Sequence, residues 1–262
     1  MKQGRAGLRF LFVLLAVFSV VLTICLCLPA SWLGSLLEKQ THGRVSLGDP
    51  QGSFWNGSAF IGVASGPADP VTPLFAGRFS WHISPLLLLG QVQMTLENRE
   101  TLSTPVTISG RFSELHVSPA TLALPSERLE GLGAPLNTIG PSGRLQLSWN
   151  SLTIASAAGA AEVQGQLQLD MQEMSSRLSQ VRPLGNYRMS FDLQGNRAGL
   201  QLITLNGPMM LSGQGSLQGG HLQFSGKAWA ESGQEARLAN LLNLLGQHRK
   251  DGDRDVIALE FN

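Results

Sequence analysis

The side chains best suited to metal binding or nucleophilic catalysis in this 262-residue chain are five histidines and two cysteines. The histidines show no i, i+4 pair and no carboxylate at metal-ligand spacing, so we interpret them as scattered surface residues. No Gly-x-Ser-x-Gly elbow is present, and no nucleophile, base and orienting group can be assembled from the sequence. We therefore predict that the chain is not an enzyme and has no catalytic residue, no metal site and no cofactor. The histidines are His42, His82, His116, His221 and His248.

Three aspartates near the end of the chain resemble the start of a calcium-binding loop. Asp251, Asp253 and Asp255 have the alternate spacing of such a loop. However, Val256 occupies the position that requires glycine, and Asn262 the position that requires a bidentate glutamate. We predict a solvated acidic turn.

Two glycines imitate part of a dinucleotide-binding fingerprint. Gly213 and Gly215 lie in a strand-like pattern, but Gln218 stands where the third glycine is needed. Close strand packing is the better interpretation.

The composition excludes nucleic acid as a partner and favours β-structure. The formal net charge is +1, and charged residues make up 14% of the chain, so no basic surface is available to neutralise phosphates. Glycine is abundant, with 30 residues, and polar positions are filled largely by Gln, Ser, Thr and Asn. This composition suits the exposed faces of sheets better than those of helices.

An uncharged run from Phe10 to Leu28 predicts a transmembrane helix, because about 19 residues rising about 1.5 Å each match the thickness of a bilayer core. The basic residues Lys2, Arg5 and Arg9 precede the run and hold the N-terminus in the cytoplasm. Trp32 follows at the expected headgroup level. A cleaved signal peptide and a lipidated N-terminus are the alternatives, but the run exceeds the usual 7 to 15 residue signal core.

This interpretation places most of the chain outside the cytoplasm. The expected organisation is a cytoplasmic N-terminus at 1–9, a transmembrane helix at 10–28, a juxtamembrane segment at 29–42 and an extracytoplasmic β domain at 43–262, which the family resemblance given below implies to be periplasmic and tethered to the inner membrane. Both cysteines lie in the span, so no disulfide is expected in the exported part.

Alternation of apolar and polar residues recurs along the exported part and predicts about ten strands. Short spacings with Gly, Asn or Pro between them favour a mainly β fold, an antiparallel meander folded into a sandwich, a flattened barrel or a trough. The segment 119–141 lacks the alternation and is the expected junction between two halves. Near the end, leucines at helical spacing predict a short amphipathic helix at about 234–248, followed by a strand at about 256–261.

Short motifs contain the residues that we select as structural or interaction candidates. Trp55 and Trp81 lie in strand-like sequence, where a large ring is more often core than partner contact. Asn56 and Gly57 suit a hairpin turn with positive φ angles. Pro85 is expected to end a strand.

The motifs taken together resemble protein N of the bacterial type II secretion system. They occur in that family's order over nearly the whole chain, with Phe54 and the 119–141 segment as departures. The resemblance adds Pro183, Gly185, Gly207, Pro208 and Gly226 to the candidate residues. The motifs are Leu28-Pro29-Ala30-Ser31-Trp32, Gly52-Ser53-Phe54-Trp55-Asn56-Gly57-Ser58-Ala59, Phe79-Ser80-Trp81 with Ser84-Pro85-Leu86, Arg182-Pro183-Leu184-Gly185-Asn186-Tyr187, Asn206-Gly207-Pro208, and Phe224-Ser225-Gly226-Lys227-Ala228.

The resemblance implies an accessory inner-membrane component that supports export of folded proteins from the periplasm across the outer membrane. Its implied partners are inner-membrane platform proteins, with the secretin or the connecting component as further candidates. The residues alone leave a second function open, a membrane-anchored periplasmic protein that binds or transfers lipid in an apolar β groove, because a closed core and an open groove give the same alternation.

Overall fold

The computed structural model describes residues 12, 14–16, 19, 23, 27–64, 71–132, 136–157, 160–218, 221–251 and 254–261. The chain is mainly β, with 17 strands in one antiparallel sheet and few helices. The helices are α1 (Ser31–Gln40), α2 (Leu136–Ile139) and α3 (Glu235–Leu245), with 3₁₀ helices at Pro85–Leu89 and Ser126–Leu132. The strands are β1 (Val45–Gly52), β2 (Asn56–Val63), β3 (Thr72–Pro73), β4 (Phe79–Ile83), β5 (Gln91–Glu97), β6 (Val106–Arg111), β7 (Glu114–Val117), β8 (Ala120–Pro125), β9 (Pro141–Trp149), β10 (Leu152–Ala157), β11 (Ala160–Ser176), β12 (Gly185–Gly195), β13 (Arg197–Asn206), β14 (Met209–Gln218), β15 (His221–Ala230), β16 (Gln247–Asp251) and β17 (Arg254–Phe261).

The strands form a meander in which chain neighbours pair almost throughout. Strand β1 pairs with β2, β2 with β4, and the pairing continues through β5 and β6 to β7. Strands β11 to β15 follow as consecutive hairpins. The order changes in the middle, where β7 pairs with β10 and β9 pairs with β11, and at the end, where β17 lies between β15 and β16. Among the described strands no pairing joins β1 to β16, so the sheet is open and the flattened-barrel alternative is wrong.

The middle of the sheet is built from long strands with short interruptions. Val117 pairs with Leu152, and Ala120 pairs with Trp149 in the same register, so β7 and β8 face β10 and β9 as two continuous ribbons. The 17-residue β11 pairs with β10 along its first part and with β9 along its second part. The chain between Val117 and Ala120 contains Pro119, which cannot donate a ladder hydrogen bond.

Apolar side chains share one face of the sheet, because residues directly opposite in an antiparallel ladder point to the same side. Trp149, Leu167, Phe191 and Leu200 form one such cross-strand row. The neighbouring row on the other face is polar and contains Ser148, Gln168, Ser190 and Gln201. The alternation that predicts strands in the sequence therefore also separates the two faces of the sheet.

Three apolar clusters lie on this face. The first packs α3 on β14, β15 and β17, with Leu238 fully buried at its centre. The second packs the segment around Ala30 on β2 and β4. The third joins β6, β7 and β8, with the side chain of Trp149 packed against it.

The structure confirms the mainly β, antiparallel fold and the helix predicted near the C-terminus. The 17 strands exceed the predicted ten or so, and the structure adds the helix α1. The strands that the alternation did not predict include β3, β7, β10, β13 and β16. The structure also places β8 at the start of the 119–141 segment, followed by short helices.

The described residues of the N-terminal apolar run, 12, 14–16, 19 and 23, are helical. Across the part of the chain that the structure describes, no helix has both the length and the apolar composition to cross a membrane. Most of the predicted span, together with Lys2, Arg5 and Arg9, lies outside the described residues.

Candidate interaction surfaces

The segment that follows the apolar run is hydrogen-bonded to the β1–β2 turn. The Phe54 amide donates to the Leu28 carbonyl at 2.7 Å, and the Ala30 amide donates to the Gly52 carbonyl at 3.2 Å. Pro29 forms an isolated antiparallel bridge with Ser53. Ala30 is buried in the same cluster as Trp55 and Trp81. Two sequence motifs about 25 residues apart thus form one structural unit, which fixes the sheet directly to the chain leaving the apolar run.

Trp81 holds this unit together from β4. Its indole Nε1 donates to the Phe54 carbonyl at 3.0 Å, and its side chain is 4% exposed. Gly57 pairs directly with Trp81, and a Cβ atom at Gly57 would lie 2.6 Å from Trp81 Cζ2. The glycine is therefore needed for close packing rather than for its φ angle. The positive φ predicted at Asn56 and Gly57 is wrong, because the left-handed residue of this turn is Gly52 at 85°.

Pro85 begins the 3₁₀ helix that connects β4 to β5. The Ser84 hydroxyl accepts a hydrogen bond from the Leu86 amide at 3.3 Å and caps the helix, which ends at Gly90 with a φ of 80°. Leu87 packs into the cluster of Ala30 and Trp81. Three other leucines of this helix point outwards, and they are Leu86, Leu88 and Leu89.

The motif residues of the second half gather at the opposite margin of the sheet. The Met209 amide donates to the Leu184 carbonyl at 2.9 Å, which joins the β11–β12 connection to the β13–β14 turn. Gly185 and Gly207 lie so close that a side chain on Gly207 would collide with the Cα atom of Gly185. The Glu231 amide donates to the Pro208 carbonyl at 2.8 Å and adds the start of the α3 connection.

Pro183 and Tyr187 complete this second unit. The Arg182–Pro183 peptide bond is cis. The Tyr187 hydroxyl donates to the Met209 carbonyl at 3.0 Å, and burial raises the pKa of this hydroxyl. All of these contacts are internal, so the motif has a structural role in positioning α3 on the sheet.

Gly226 lies under an aromatic ring on the apolar face. It pairs with Gly213, and the ring of Phe224 lies over both of them and over Gly215. A Cβ atom at Gly226 would lie 2.8 Å from Phe224 Cε1. Aromatic cover of strand glycines of this kind restores the packing that glycine lacks, so close strand packing at Gly213 and Gly215 is confirmed.

The two edge strands differ in how they limit pairing with another chain. Strand β1 has a bulge between Gly48 and Gln51, with Pro50 inside it and Asp49 at a φ of 48°. The helix α1 packs on β1 through Gly34. Strand β16 is short and polar, with charged residues at 249–251. Irregular, short or charged edges disfavour uncontrolled strand addition, and β16 is the more regular of the two.

A hollow of about 1150 Å³ lies along the middle strands. Its lining includes polar residues that share one face of the sheet, Gln166, Gln168, Asp192, Gln201 and Gln214. It also includes the apolar cross-strand row of Trp149, Leu167, Phe191 and Leu200. The hollow is therefore bordered by both polar and apolar side chains.

His248 makes two close polar contacts. Its Nδ1 lies 3.1 Å from an Asp255 carboxylate oxygen, and its Nε2 lies 2.5 Å from the Asn243 Oδ1 atom. Within the described ranges, no group of three His, Cys, Asp or Glu side chains is placed to hold a metal ion. Asp253 and Asn262 of the proposed acidic turn lie outside the described residues.

The structure thus sorts the sequence candidates into separate places. Trp55, Asn56, Gly57, Trp81 and Pro85 lie together around the N-terminal unit. Pro183, Gly185, Gly207 and Pro208 lie together at the other margin of the sheet. Gly226 lies within β15, on the apolar face. Trp32 is exposed on α1. Sequence reasoning missed the outward leucines of the 3₁₀ helix, although a run of four leucines between proline and glycine was a usable signal.

Comparison with known proteins identifies one family. The family model described as "Type II secretion system (T2SS), protein N" matches residues 43–256, which include every strand from β1 to β16 and the start of β17. No curated protein and no solved structure matches the chain.

Proposed function

Because this chain belongs to the protein N family of the type II secretion system, we propose that it is an accessory component of the inner membrane that supports export of folded proteins. In this proposal the apolar run at 10–28 anchors the chain, and the sheet lies in the periplasm. The protein acts by contacting other secretion components and catalyses no reaction. The family match over residues 43–256 is the observation that carries this proposal.

The N-terminal unit supports the anchored arrangement. A sheet joined to its anchor by a flexible linker would sample many orientations. Here the Leu28 carbonyl and the Ala30 amide are bonded to the sheet itself. The sheet therefore keeps one position relative to the end of the apolar run, which suits a component that must present a fixed surface to its neighbours.

We propose inner-membrane platform proteins as the partners and the edge of β16 as the first place to look for contact. Strand β16 pairs with β17 on one side, and its other edge can receive an added strand, which supplies main-chain hydrogen bonds to a partner. The secretin or the connecting component are the further candidates.

Deletion of the gene in its own host tests the function. We expect exoproteins to accumulate in the periplasm and their release to fall, with recovery when the full chain is supplied again. Unchanged release would refute the proposed role. Photocrosslinking from Lys250 in β16, with Gly199 near the start of β13 as the control position, tests the partner. Crosslinks to secretion components from Lys250 alone support edge contact, whereas equal crosslinking from both positions contradicts it.

Anchoring has its own test. Membrane fractions of the host, treated with protease from the periplasmic side, should lose residues after about 30 and keep a short N-terminal fragment. A full chain found in the soluble periplasmic fraction would refute the anchor and leave the secretion role to be judged by the deletion.

Lipid binding is the second candidate, and a limited observation favours it. Leu217 and Leu222 pair with each other on the apolar face near the β14–β15 turn, and both remain exposed. Phospholipid bound to the purified full chain in excess of the detergent control, measured by mass spectrometry, would support lipid binding, and its absence would refute it.

A further inference from the structure

We propose that the 3₁₀ helix at Pro85–Leu89, with the β6–β7 turn beside it, forms a membrane-contact tip that rests in the outer leaflet of the bilayer from which the chain emerges. This inference rests on the proposed anchoring. It assigns a lipid surface as the partner of the outward leucines of this tip, Leu86, Leu88 and Leu89, which belong to none of the three apolar clusters.

The 3₁₀ helix of the tip exposes large apolar side chains without charge, whereas the β6–β7 turn is flanked by the exposed Arg111 and Glu114. Leu86, Leu88 and Leu89 are all exposed, and Leu89 is 79% exposed. The residues from Ser84 to Val92 contain no charged side chain. Several adjacent exposed leucines are uncommon on a surface that meets only water.

A further exposed apolar residue projects from the neighbouring hairpin. Phe112 lies in the β6–β7 turn and is 63% exposed. Gln91 at the start of β5 pairs with Arg111 at the end of β6, so both turns lie at the same margin of the sheet. Because adjacent strands are about 4.8 Å apart, the two hairpin tips are separated by roughly 10 Å. They can therefore enter the same surface.

The apolar run ends at this same margin. The Leu28 carbonyl accepts a hydrogen bond from the Phe54 amide. The carbonyl of the following residue, Trp55, accepts a hydrogen bond from the Ile83 amide at 2.7 Å. Ile83 immediately precedes Ser84, the cap of the 3₁₀ helix. Leu87 and Ala30 also pack in one cluster. The exit of the anchor and the leucine tip are thus held together by two backbone hydrogen bonds and a shared core.

The position of Trp32 supports a bilayer as the surface that contacts the tip. It is exposed and lies four residues after Leu28, and an indole with its N–H donor is favoured at the headgroup level. A protein partner for the tip would give a different outcome in the experiment that follows.

The test uses the full chain with Cys25→Ser and Cys27→Ser, reconstituted in nanodiscs of phosphatidylethanolamine and phosphatidylglycerol. Leu89→Cys carries a polarity-sensitive bimane label, and brominated phospholipid is the quencher. The matched control is Leu205→Cys, an exposed leucine near the β13–β14 turn at the opposite margin. We expect a blue shift and a loss of emission at Leu89 with brominated lipid, and neither change at Leu205.

Emission at Leu89 that matches the Leu205 control overturns the tip. A blue shift at Leu89 without loss of emission in brominated lipid also overturns the tip and indicates that protein, either this chain or a second copy of it, covers the label. Alkaline carbonate extraction is run in parallel and reports the anchor alone. Retention of the chain with an unquenched Leu89 label refutes the tip and leaves the anchor intact. Release of the chain by carbonate refutes the anchor. In that case the labelled soluble chain is mixed with vesicles that contain brominated lipid, and quenching of the Leu89 label supports the tip whereas unchanged emission refutes it.

Discussion

Replacing Gly57 with alanine tests the packing that joins the sheet to the end of the apolar run. The added methyl group would lie 2.6 Å from Trp81 Cζ2 and 2.7 Å from the carbonyl oxygens of Gln51 and Ser53. None of these atoms belongs to the far end of a flexible side chain. The indole is buried and bonded to Phe54, and the two carbonyls are part of the β1–β2 turn.

The expected loss of stability follows from two costs. Overpacking of a well-packed site costs about 1–3 kcal/mol. If the indole moves, its hydrogen bond to the Phe54 carbonyl is also weakened, which adds about 1 kcal/mol. We therefore expect Gly57→Ala to lower the free energy of unfolding by about 2–4 kcal/mol, which corresponds to a fall in Tm of roughly 10 °C for a domain of this size. Thermal unfolding of the full chain in detergent, followed by near-ultraviolet circular dichroism, measures it.

Gly199→Ala is the matched control in another strand. A Cβ atom at Gly199 would meet nothing within 4 Å, and its φ is outside the left-handed region. Alanine there reduces the entropy of the unfolded chain and should stabilise by about 0.4–1 kcal/mol. Equal Tm values for Gly57→Ala and Gly199→Ala would refute the close contact between Gly57 and Trp81.

Three further changes probe the second half of the chain. Gly213→Ala places a methyl group against the ring of Phe224 and should lower the free energy of unfolding by about 1–3 kcal/mol. Adding Phe224→Leu to the same chain should recover part of that loss, which a double-mutant cycle in urea unfolding measures. Tyr187 is the single tyrosine, and burial raises the pKa of its hydroxyl above the ordinary 10.0, so tyrosinate absorbance should stay absent at that pH until the chain unfolds. Because the pKa of the Tyr187 hydroxyl in the folded chain exceeds its pKa in the unfolded chain, this group contributes its full stability below the unfolded pKa and loses it as the pH rises towards the folded pKa. Tyr187→Phe should abolish this dependence of stability on pH. It should also lower the free energy of unfolding by about 1–2 kcal/mol, because the Met209 carbonyl is left unpaired. Leu238→Ala removes a fully buried side chain of α3 and should cost about 2–5 kcal/mol in urea unfolding, and a change below about 1 kcal/mol would contradict the packing of α3 on the sheet.

The sheet was predictable because most strands have one apolar face. Phe79, Trp81 and Ile83 alternate with polar residues and form β4, in which all three are buried. Strand β13 was not predictable in this way, because Ile203 and Leu205 are apolar residues on the polar face and obscure the alternation of its other side chains.

Proline and short length hid other elements. Pro119 suggested a connection, but it lies between β7 and β8 where the ladder is interrupted, and the Ser118 hydroxyl accepts a hydrogen bond from the Thr107 amide there. The helix α1 has only ten residues, and Ala30 at its start provides no side-chain cap, so the usual signal of a helix start is missing.

The candidate residues were predictable by type but not by partner. A buried role for Trp55 and Trp81 follows from ring size and strand context. Their contact with Ala30 depends on a hydrogen bond from Phe54 to Leu28, which neither local propensity nor periodicity encodes. The same limit applies to Gly185 and Gly207, which are neighbours because β12 and β13 pair with a register shift between Asn186 and Tyr187.

The unit around Trp81 and the unit around Met209 and Leu184 stabilise opposite margins of the open sheet. The unit around Met209 and Leu184 packs α3 over one margin and buries the apolar face there. The unit around Trp81 joins the opposite margin to Leu28 at the end of the apolar run. Among the described strands, β1 and β16 each pair on one side only and form opposite edges of the sheet. The proposed surface for protein partners at β16 is therefore separate from the proposed lipid-contact surface beside β4 and β5.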